Sequence, residues 1–343
     1  MKHYAAIDVS LELSSVCVVD ASGKVVKESK VETHPDALVK FFKDLGLPLT
    51  LIGLEAGPLS QWLHAGLREA GFETVLMETR HVKKALSAST VKTDRRDARG
   101  MAQLLRMGWF RPVHAKSVGS QEVRALLVGR KQLQHKLTDI ELSIRGILRG
   151  FGLKVGKVTK TAFAKRIREL VTGHPMLEQI AEAMLAARAT LLEQFNKLHK
   201  AVLAIVRRDE VSRRFMTAPG VGAIVAITYK SALDDPSRIT KSKNAGPLFG
   251  LTPKRYQSGE TDVTGGISRV GDEMVRTALY EAANAVLSRR GRFSTLKRWG
   301  LEVAKRRGNK RAKVAVARRL AVILHRMWID KTTFRWTKTE ATV

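Results

Sequence analysis

Asp8 interrupts an otherwise apolar run, Tyr4-Ala5-Ala6-Ile7-Asp8-Val9, and Glu55 closes another, Leu49 to Leu54. A carboxylate in such a place is costly unless it is paired, hydrogen-bonded or held by a cation. Asp94 and Asp97 follow Thr93 at the spacing of first-turn helix acids behind a threonine cap, so both project from one face. Taken singly, Glu55 reads as well as a partner for a lysine, and Asp94 and Asp97 as acids favoured by the helix dipole. Asp8 resists any such reading. Four carboxylates in one pocket repel unless divalent cations neutralise them, and Mg²⁺ or Mn²⁺ prefers oxygen ligands of this kind. A site so built positions water or a hydroxyl for in-line attack at phosphorus.

A second group of reactive types lies far downstream. Residues 250–258, Gly-Leu-Thr-Pro-Lys-Arg-Tyr-Gln-Ser, continue through Gly259 and Glu260 to Gly266-Ile267-Ser268-Arg269-Val270-Gly271, a polar, glycine-rich loop ahead of an amphipathic helix over 272–287. A hydroxyl nucleophile needs a proton acceptor and cations to stabilise charge at phosphorus. Lys254, Arg255, Arg269 and Arg276 are the candidate cations and candidate contacts to nucleic acid. Spacing alone does not separate Ser258 from Ser268, and a solvated loop serine is the default for either. Ala218-Pro219-Gly220-Val221-Gly222 opens an apolar helix over 223–233. Such a turn grips phosphate in some helix-hairpin-helix modules and joins two helices with no further role in most others.

The elements that must position these residues follow from periodicity. Residues 4–9, 14–20 and 24–33 read as three strands with a turn at Ala21-Ser22-Gly23. Pro35 opens a helix to about Leu45, residues 49–54 read as a buried parallel strand, and helix 59–70, strand 73–77 and more helix follow. Three antiparallel strands and then alternating helix and strand is the order of the ribonuclease H-like fold, which brings the first and fourth strands together with a later helix across their ends; periodicity alone gives only an α/β domain with a mixed sheet. From Gln121 onward the chain reads as long helices. Leu177, Met184, Leu191, Leu198 and Ile205 recur every seven residues, with Ile180, Ala187, Gln194 and Ala201 in a second seam position. The pattern predicts a coiled coil or a long hairpin with residues 122–150. Gly150, Gly152 and Gly156 mark a break, as does Gly173-His174-Pro175. The expected domains are 1–150, 151–210 and 211–343.

Composition limits what such a chain does. Its 343 residues exceed a single core, and 44% hydrophobic residues support real ones. With 61 Lys and Arg against 32 Asp and Glu, the formal charge is +29. Residues 1–79 hold 7 basic and 11 acidic side chains, a net of −4, so the remaining 264 carry +33. Residues 285–343 hold 17 basic and 3 acidic side chains. That imbalance favours a polyanion, nucleic acid first, with a ribosome-type scaffold as the plain alternative. Cys17 is the one cysteine, and the nine histidines lack ligand spacing, which argues against disulfides and a zinc centre. No targeting segment or membrane span is expected, which points to a soluble protein of a reducing compartment, the cytoplasm. No Gly-x-x-x-x-Gly-Lys-Ser/Thr motif occurs, so no ATP-driven step is expected.

Asp8, Glu55, Thr93-Asp94-Arg95-Arg96-Asp97-Ala98, the Pro-Gly-Val-Gly turn and Gly-Leu-Thr-Pro-x-Arg-Tyr-x-Ser-Gly, in that order, resemble the DEDD transposases of the insertion-sequence-110 family. The resemblance runs from about residue 4 to about 330. It implies a RuvC-like domain holding Mg²⁺ (or Mn²⁺) at Asp8, Glu55, Asp94 and Asp97, a long helical coiled-coil linker, and a mostly α transposase domain whose nucleophilic serine matches Ser258. It also implies a recombinase that joins donor and target DNA through a serine–DNA ester, guided by a structured RNA of its own element. The active site would then be shared between subunits of a dimer or tetramer. Two other readings remain: a metal-dependent nuclease such as a junction resolvase, in which Ser258 is structural, and a non-catalytic nucleic-acid-binding protein. The basic tail beyond Trp328 matches no motif and carries only its charge.

Overall fold

The computed structural model describes residues 2–87, 93–289 and 292–336. The chain divides into two compact units, Met1–Lys116 and Ser117–Val343. That division falls ahead of the expected boundary at 150, because the helix from residue 118 to 150 packs within the second unit.

In the first unit, β1 (His3–Asp8), β2 (Leu13–Asp20) and β3 (Val25–Glu32) are followed by α1 (Pro35–Asp44), β4 (Leu49–Glu55), α2 (Ser60–Glu69), β5 (Thr74–Met77), α3 (Thr79–Leu86), α4 (Asp94–Arg106) and a short β6 (Pro112–Val113). The sheet order is β3-β2-β1-β4-β5-β6. β1 runs antiparallel to β2 and parallel to β4. This is the ribonuclease H-like arrangement that the order of elements predicts. Strand alternation sends side chains to two cores. Ala5, Ile7, Ile52 and Leu54 face α1 and α2, whereas Ala6, Cys17, Val19 and Met77 meet Met101, Ala102 and Leu105 of α4. Gly53 permits the close approach of α4, since a Cβ there would lie 2.4 Å from the Leu105 side chain.

The second unit begins with α5 (Val118–Gly150), α6 (Phe163–Val171), α7 (Pro175–Arg208), α8 (Glu210–Phe215) and α9 (Ala223–Leu233). α5 and α7 lie antiparallel. The start of α5 meets the end of α7 at Leu127, Val202 and Val206, and its end meets the start of α7 at Ile144, Leu148, Leu177 and Ala181. The first seam read in the sequence faces inward, with Leu177 buried and Met184, Leu191, Leu198 and Ile205 half-buried, whereas the second seam does not. Ala181, Leu185, Arg188, Val202 and Val206 are buried, while Ile180, Ala187, Gln194 and Ala201 are exposed. The inward stripe also takes in a buried arginine. Arg188 donates to Glu141 Oε1 at 2.8 Å and to the Lys160 carbonyl at 3.0 Å, and it lies over the Phe163 ring.

α10 (Ala245–Leu248), β7 (Pro253–Ser258), β8 (Thr261–Ile267), α11 (Glu273–Ser288), α12 (Thr295–Arg307) and α13 (Asn309–Ile329) complete the chain. α8, α9, α11 and α13 share one core around Phe215, Tyr229, Leu279 and Leu320. The Pro-Gly-Val-Gly turn is part of this packing. Gly220 has φ +76°, and a Cβ on it would lie 2.3 Å from the Ala282 carbonyl oxygen of α11. The turn therefore serves as a helix–helix junction pressed on α11. Among the described residues, no helix is long and apolar enough to cross a membrane.

Candidate active site

The sheet register places the acids of the first unit. Ile7 of β1 pairs with Leu54 of β4, so Asp8 and Glu55 occupy the next position on adjacent parallel strands, at their carboxyl ends. Both follow the α4-facing parity of Ala6 and Gly53. Both are half-buried.

α4 runs against β1. Its last turn reaches the opposite end of the sheet, where Gln103 donates to the Gly23 carbonyl at 2.6 Å and Arg106 approaches the Ala21 carbonyl. Its first turn, with Asp94 and Asp97, therefore lies toward the end that carries Asp8. Thr93 caps this turn by accepting from the Arg96 amide at 3.3 Å. Asp97 is half-buried and falls on the sheet-facing stripe of Met101 and Leu105, and Asp94 is exposed.

Glu28 of β3 fixes the helix laterally, a role the sequence reading missed. It accepts from Arg95 Nε at 2.6 Å and from Arg99 Nε at 3.1 Å. Hydrogen bonding to Arg95, and then to Arg99, holds its carboxyl below the ordinary value despite the opposing effect of burial. Glu28 sits opposite Cys17 in the β2–β3 register. Burial first, and then the negative charge of Glu28, push the Cys17 thiol up to about 11. The available signal was the pair Arg95 and Arg99, one turn apart, beside an acid at an inward position of a strand.

The topology thus gathers Asp8, Glu55, Asp94 and Asp97 at one end and one face of the sheet. It does not close them into a ligand set: among the described residues, no three His, Cys, Asp or Glu side chains stand close enough together to hold a metal ion. Their chemistry, carboxylate oxygens alone, suits a hard divalent cation.

In the second unit, the expected polar loop is a two-stranded hairpin. Ser258 ends β7 opposite Thr261, next to Gly259 at the tip, and every residue of β7 is exposed. The four candidate cations are not gathered around it. Lys254 lies four residues away, about 13 Å along a strand. Arg255 alternates to the other face and grips Asp262 with Nε at 2.9 Å and Nη2 at 2.6 Å, which holds the Asp262 carboxyl below its ordinary value. Arg269 sits at the hairpin base with φ +56°. Arg276 is taken up internally, donating from Nη1 to the carbonyls of Val270 and Gly271, both at 2.9 Å. These bonds tie the base of the hairpin to α11. Ser268 lies beyond β8 at the same base, its backbone N–H donating to the Thr252 carbonyl.

The chain thus joins a ribonuclease H-like sheet, with acids at the carboxyl ends of its first and fourth strands, to a mostly helical unit that carries the Ser258 hairpin. Residues 5–152 match the DEDD transposase family of IS110 elements, and residues 212–298 match the family described as Transposase IS116/IS110/IS902. The chain belongs to the IS110 family of DEDD transposases, and is a DNA-processing enzyme. It is 27% identical over 96% of its length, and 90% of the relative's, to the transposase for insertion sequence element IS1111A of Coxiella burnetii. It is 28% identical over 89% of its length, and 79% of the relative's, to a putative transposase of Sinorhizobium fredii. RuvC of T. thermophilus bound to a Holliday junction substrate aligns with 33% of the chain and all of its own, at 17% identity and a TM-score of 0.27.

Proposed function

We propose that this transposase cuts, exchanges and rejoins DNA strands through a covalent bond between Ser258 and DNA phosphate, with Mg²⁺ or Mn²⁺ held by Asp8, Glu55, Asp94 and Asp97. What supports the reading is that Asp8 and Glu55 end adjacent parallel strands, and that α4, held to β3 by Glu28, points its first turn toward the same end of the sheet. The cation would supply charge neutralisation at the reacting phosphate. Asp8 and Glu55 offer rigid strand-borne oxygens, and Asp94 and Asp97 offer oxygens from a capped helix start.

The chemistry at the serine balances without a cofactor. The Ser258 Oγ–P bond forms as the bond from phosphorus to one deoxyribose oxygen breaks. The hydroxyl proton passes to a base, and the leaving oxygen takes one up. Reversal by another strand's hydroxyl restores the phosphodiester, so the bond energy is kept. The exposed tip of the β7–β8 hairpin makes Ser258 accessible to a duplex, and its own hairpin holds no histidine or lysine beside it. Glu260 is the nearest carboxylate on the hairpin, and we read the activating groups as the acids of the first unit, from the same or another protomer. An element-encoded RNA selecting the two DNA partners fits the net charge of +29.

Asp8→Asn and Asp97→Asn should abolish strand cleavage and leave most nucleic-acid binding. Ser258→Ala should lose the covalent protein–DNA adduct together with recombination. Cleavage that persists in Ser258→Ala without an adduct would favour a metal-dependent nuclease acting by water attack. An adduct surviving in that variant would move the nucleophile, with Ser268 the next to replace.

A further inference from the structure

The segment after α13 does not trail away as a basic tail. It folds back across the start of α12: the Phe334 amide donates to Thr217 Oγ1 at 2.9 Å, the Phe334 ring is buried, and the Thr295 amide donates to the Trp336 carbonyl. Between this returning strap, α12 and the last turns of α13 lies a cavity of about 770 Å³. Its walls include Arg298, Trp299, Arg319, Arg326 and Arg335, with Thr332 and Thr333 from the strap. The guanidinium of Arg319 lies over the Trp299 ring, 4.5 Å from its centroid. Arg326 is paired with Asp330. Arg298, Arg319 and Arg335 are exposed, and among the described residues none of the three forms an ion pair.

We infer that this cavity is a binding pocket for an unpaired nucleotide, in which a base stacks on the Arg319–Trp299 platform and its phosphates meet Arg298 and Arg335. Three features point to this ligand class. The volume lies in the range of small-molecule sites and accommodates one or two nucleotides, but is too small for a duplex. A guanidinium layered on an indole is a flat, cationic surface, and stacking on such surfaces recognises unstacked bases of any sequence. The threonine hydroxyls and the Glu302 carboxylate among the lining residues add donors and acceptors, which a site for bare phosphate has no need of. None of these residues belongs to the acid group or to the serine hairpin. The pocket would hold a strand displaced or unpaired during exchange, or a single-stranded part of an RNA partner.

The inference builds on the reading of the chain as a nucleic-acid enzyme but is tested apart from its chemistry. The assay is binding of fluorescent hexamers to the full-length protein: oligo-dT, oligo-U, and an abasic hexamer with the same phosphates. Base-bearing hexamers should bind more tightly than the abasic one. Trp299→Ala should remove that preference, a loss of about tenfold, and Arg319→Gln should do likewise. Arg335→Glu, at the exposed mouth, should weaken all three hexamers. Trp299→Phe should keep the preference, which separates loss of stacking from loss of folding. A dT-over-U or U-over-dT preference assigns the occupant to DNA or RNA. The assay reads binding and not cleavage, so failure of the cleavage chemistry does not touch this test. Equal binding of base-bearing and abasic hexamers by the native chain would overturn the pocket. So would a preference that survives in both Trp299→Ala and Arg319→Gln.

Discussion

Glu28→Gln tests whether the ion pairs between β3 and α4 hold the start of α4 in place. The Glu28 side chain is 12% exposed, whereas those of Arg95 and Arg99 are 72% and 48% exposed. Solvent around the arginines cuts each pair toward the value of a surface pair, about 0.2–1 kcal/mol, and the buried carboxylate places both near the upper end. The glutamine keeps one acceptor and loses the charge, so the variant should be less stable by about 1 kcal/mol at pH 7. The pH dependence identifies the cause. The Glu28 carboxyl is held below its ordinary value near 4.5 in the folded chain. Its contribution is therefore complete above that value and is lost as pH falls below 4.5 through the lowered folded value. Urea unfolding of the two chains between pH 3 and 7 should give curves that are separated at neutral pH and converge on acidification. If α4 carries Asp94 and Asp97 to the reacting phosphate, cleavage at pH 7 should also fall about tenfold or more, since small displacements of catalytic groups cost that much. A stability difference that stays constant across this pH range would refute the electrostatic account. An undiminished cleavage rate beside a clear stability loss would detach the clamp from the chemistry.

Further outcomes follow from particular contacts. Gly220→Ala should destabilise the second unit by about 2–4 kcal/mol, since its Cβ would meet the Ala282 carbonyl at 2.3 Å at a left-handed φ; thermal unfolding reads this, and an unchanged midpoint would contradict the packing. Leu185→Asp should cost about 3 kcal/mol or more, whereas Ala187→Glu, on the exposed side of α7, should be close to neutral; the reverse order in chemical denaturation would restore the register read from the sequence. Cys17, with its thiol pushed up to about 11, should react with iodoacetamide at pH 8 far more slowly in the folded chain than in urea; equal rates would place the thiol at the surface. Mixing Asp94→Ala with Ser258→Ala should restore part of the recombination if the site is assembled from two protomers. No restoration at any ratio would confine it to one.

What the sequence discloses here depends on the range of the force involved. Strand alternation, the Pro35 helix start and the Thr93 cap are local, and each is found where the residue pattern places it. The acids were legible for a related reason: a carboxylate at the end of an apolar strand contradicts its own surroundings, and the order of strands then brings Asp8 beside Glu55. The first seam of α7 was legible and the second was not: the inward stripe takes in Arg188, whose partner Glu141 is 47 residues away in the chain. Apolar periodicity has no means of showing that an arginine will be buried. The serine region failed in a third way. Lys254, Arg255, Arg269 and Arg276 are neighbours in sequence, but strand alternation sends Arg255 to Asp262 and the hairpin base consumes Arg276. Clustering along the chain therefore overstated the charge near Ser258. The same error ran in the opposite direction at the carboxyl terminus, where Arg298, Trp299, Arg319 and Arg335 are spread over 38 residues of sequence and line one cavity. For a basic nucleic-acid enzyme, total charge is readable from composition. Which cations are spent on the protein and which remain for the ligand is decided only by the packing of acids and carbonyls around them.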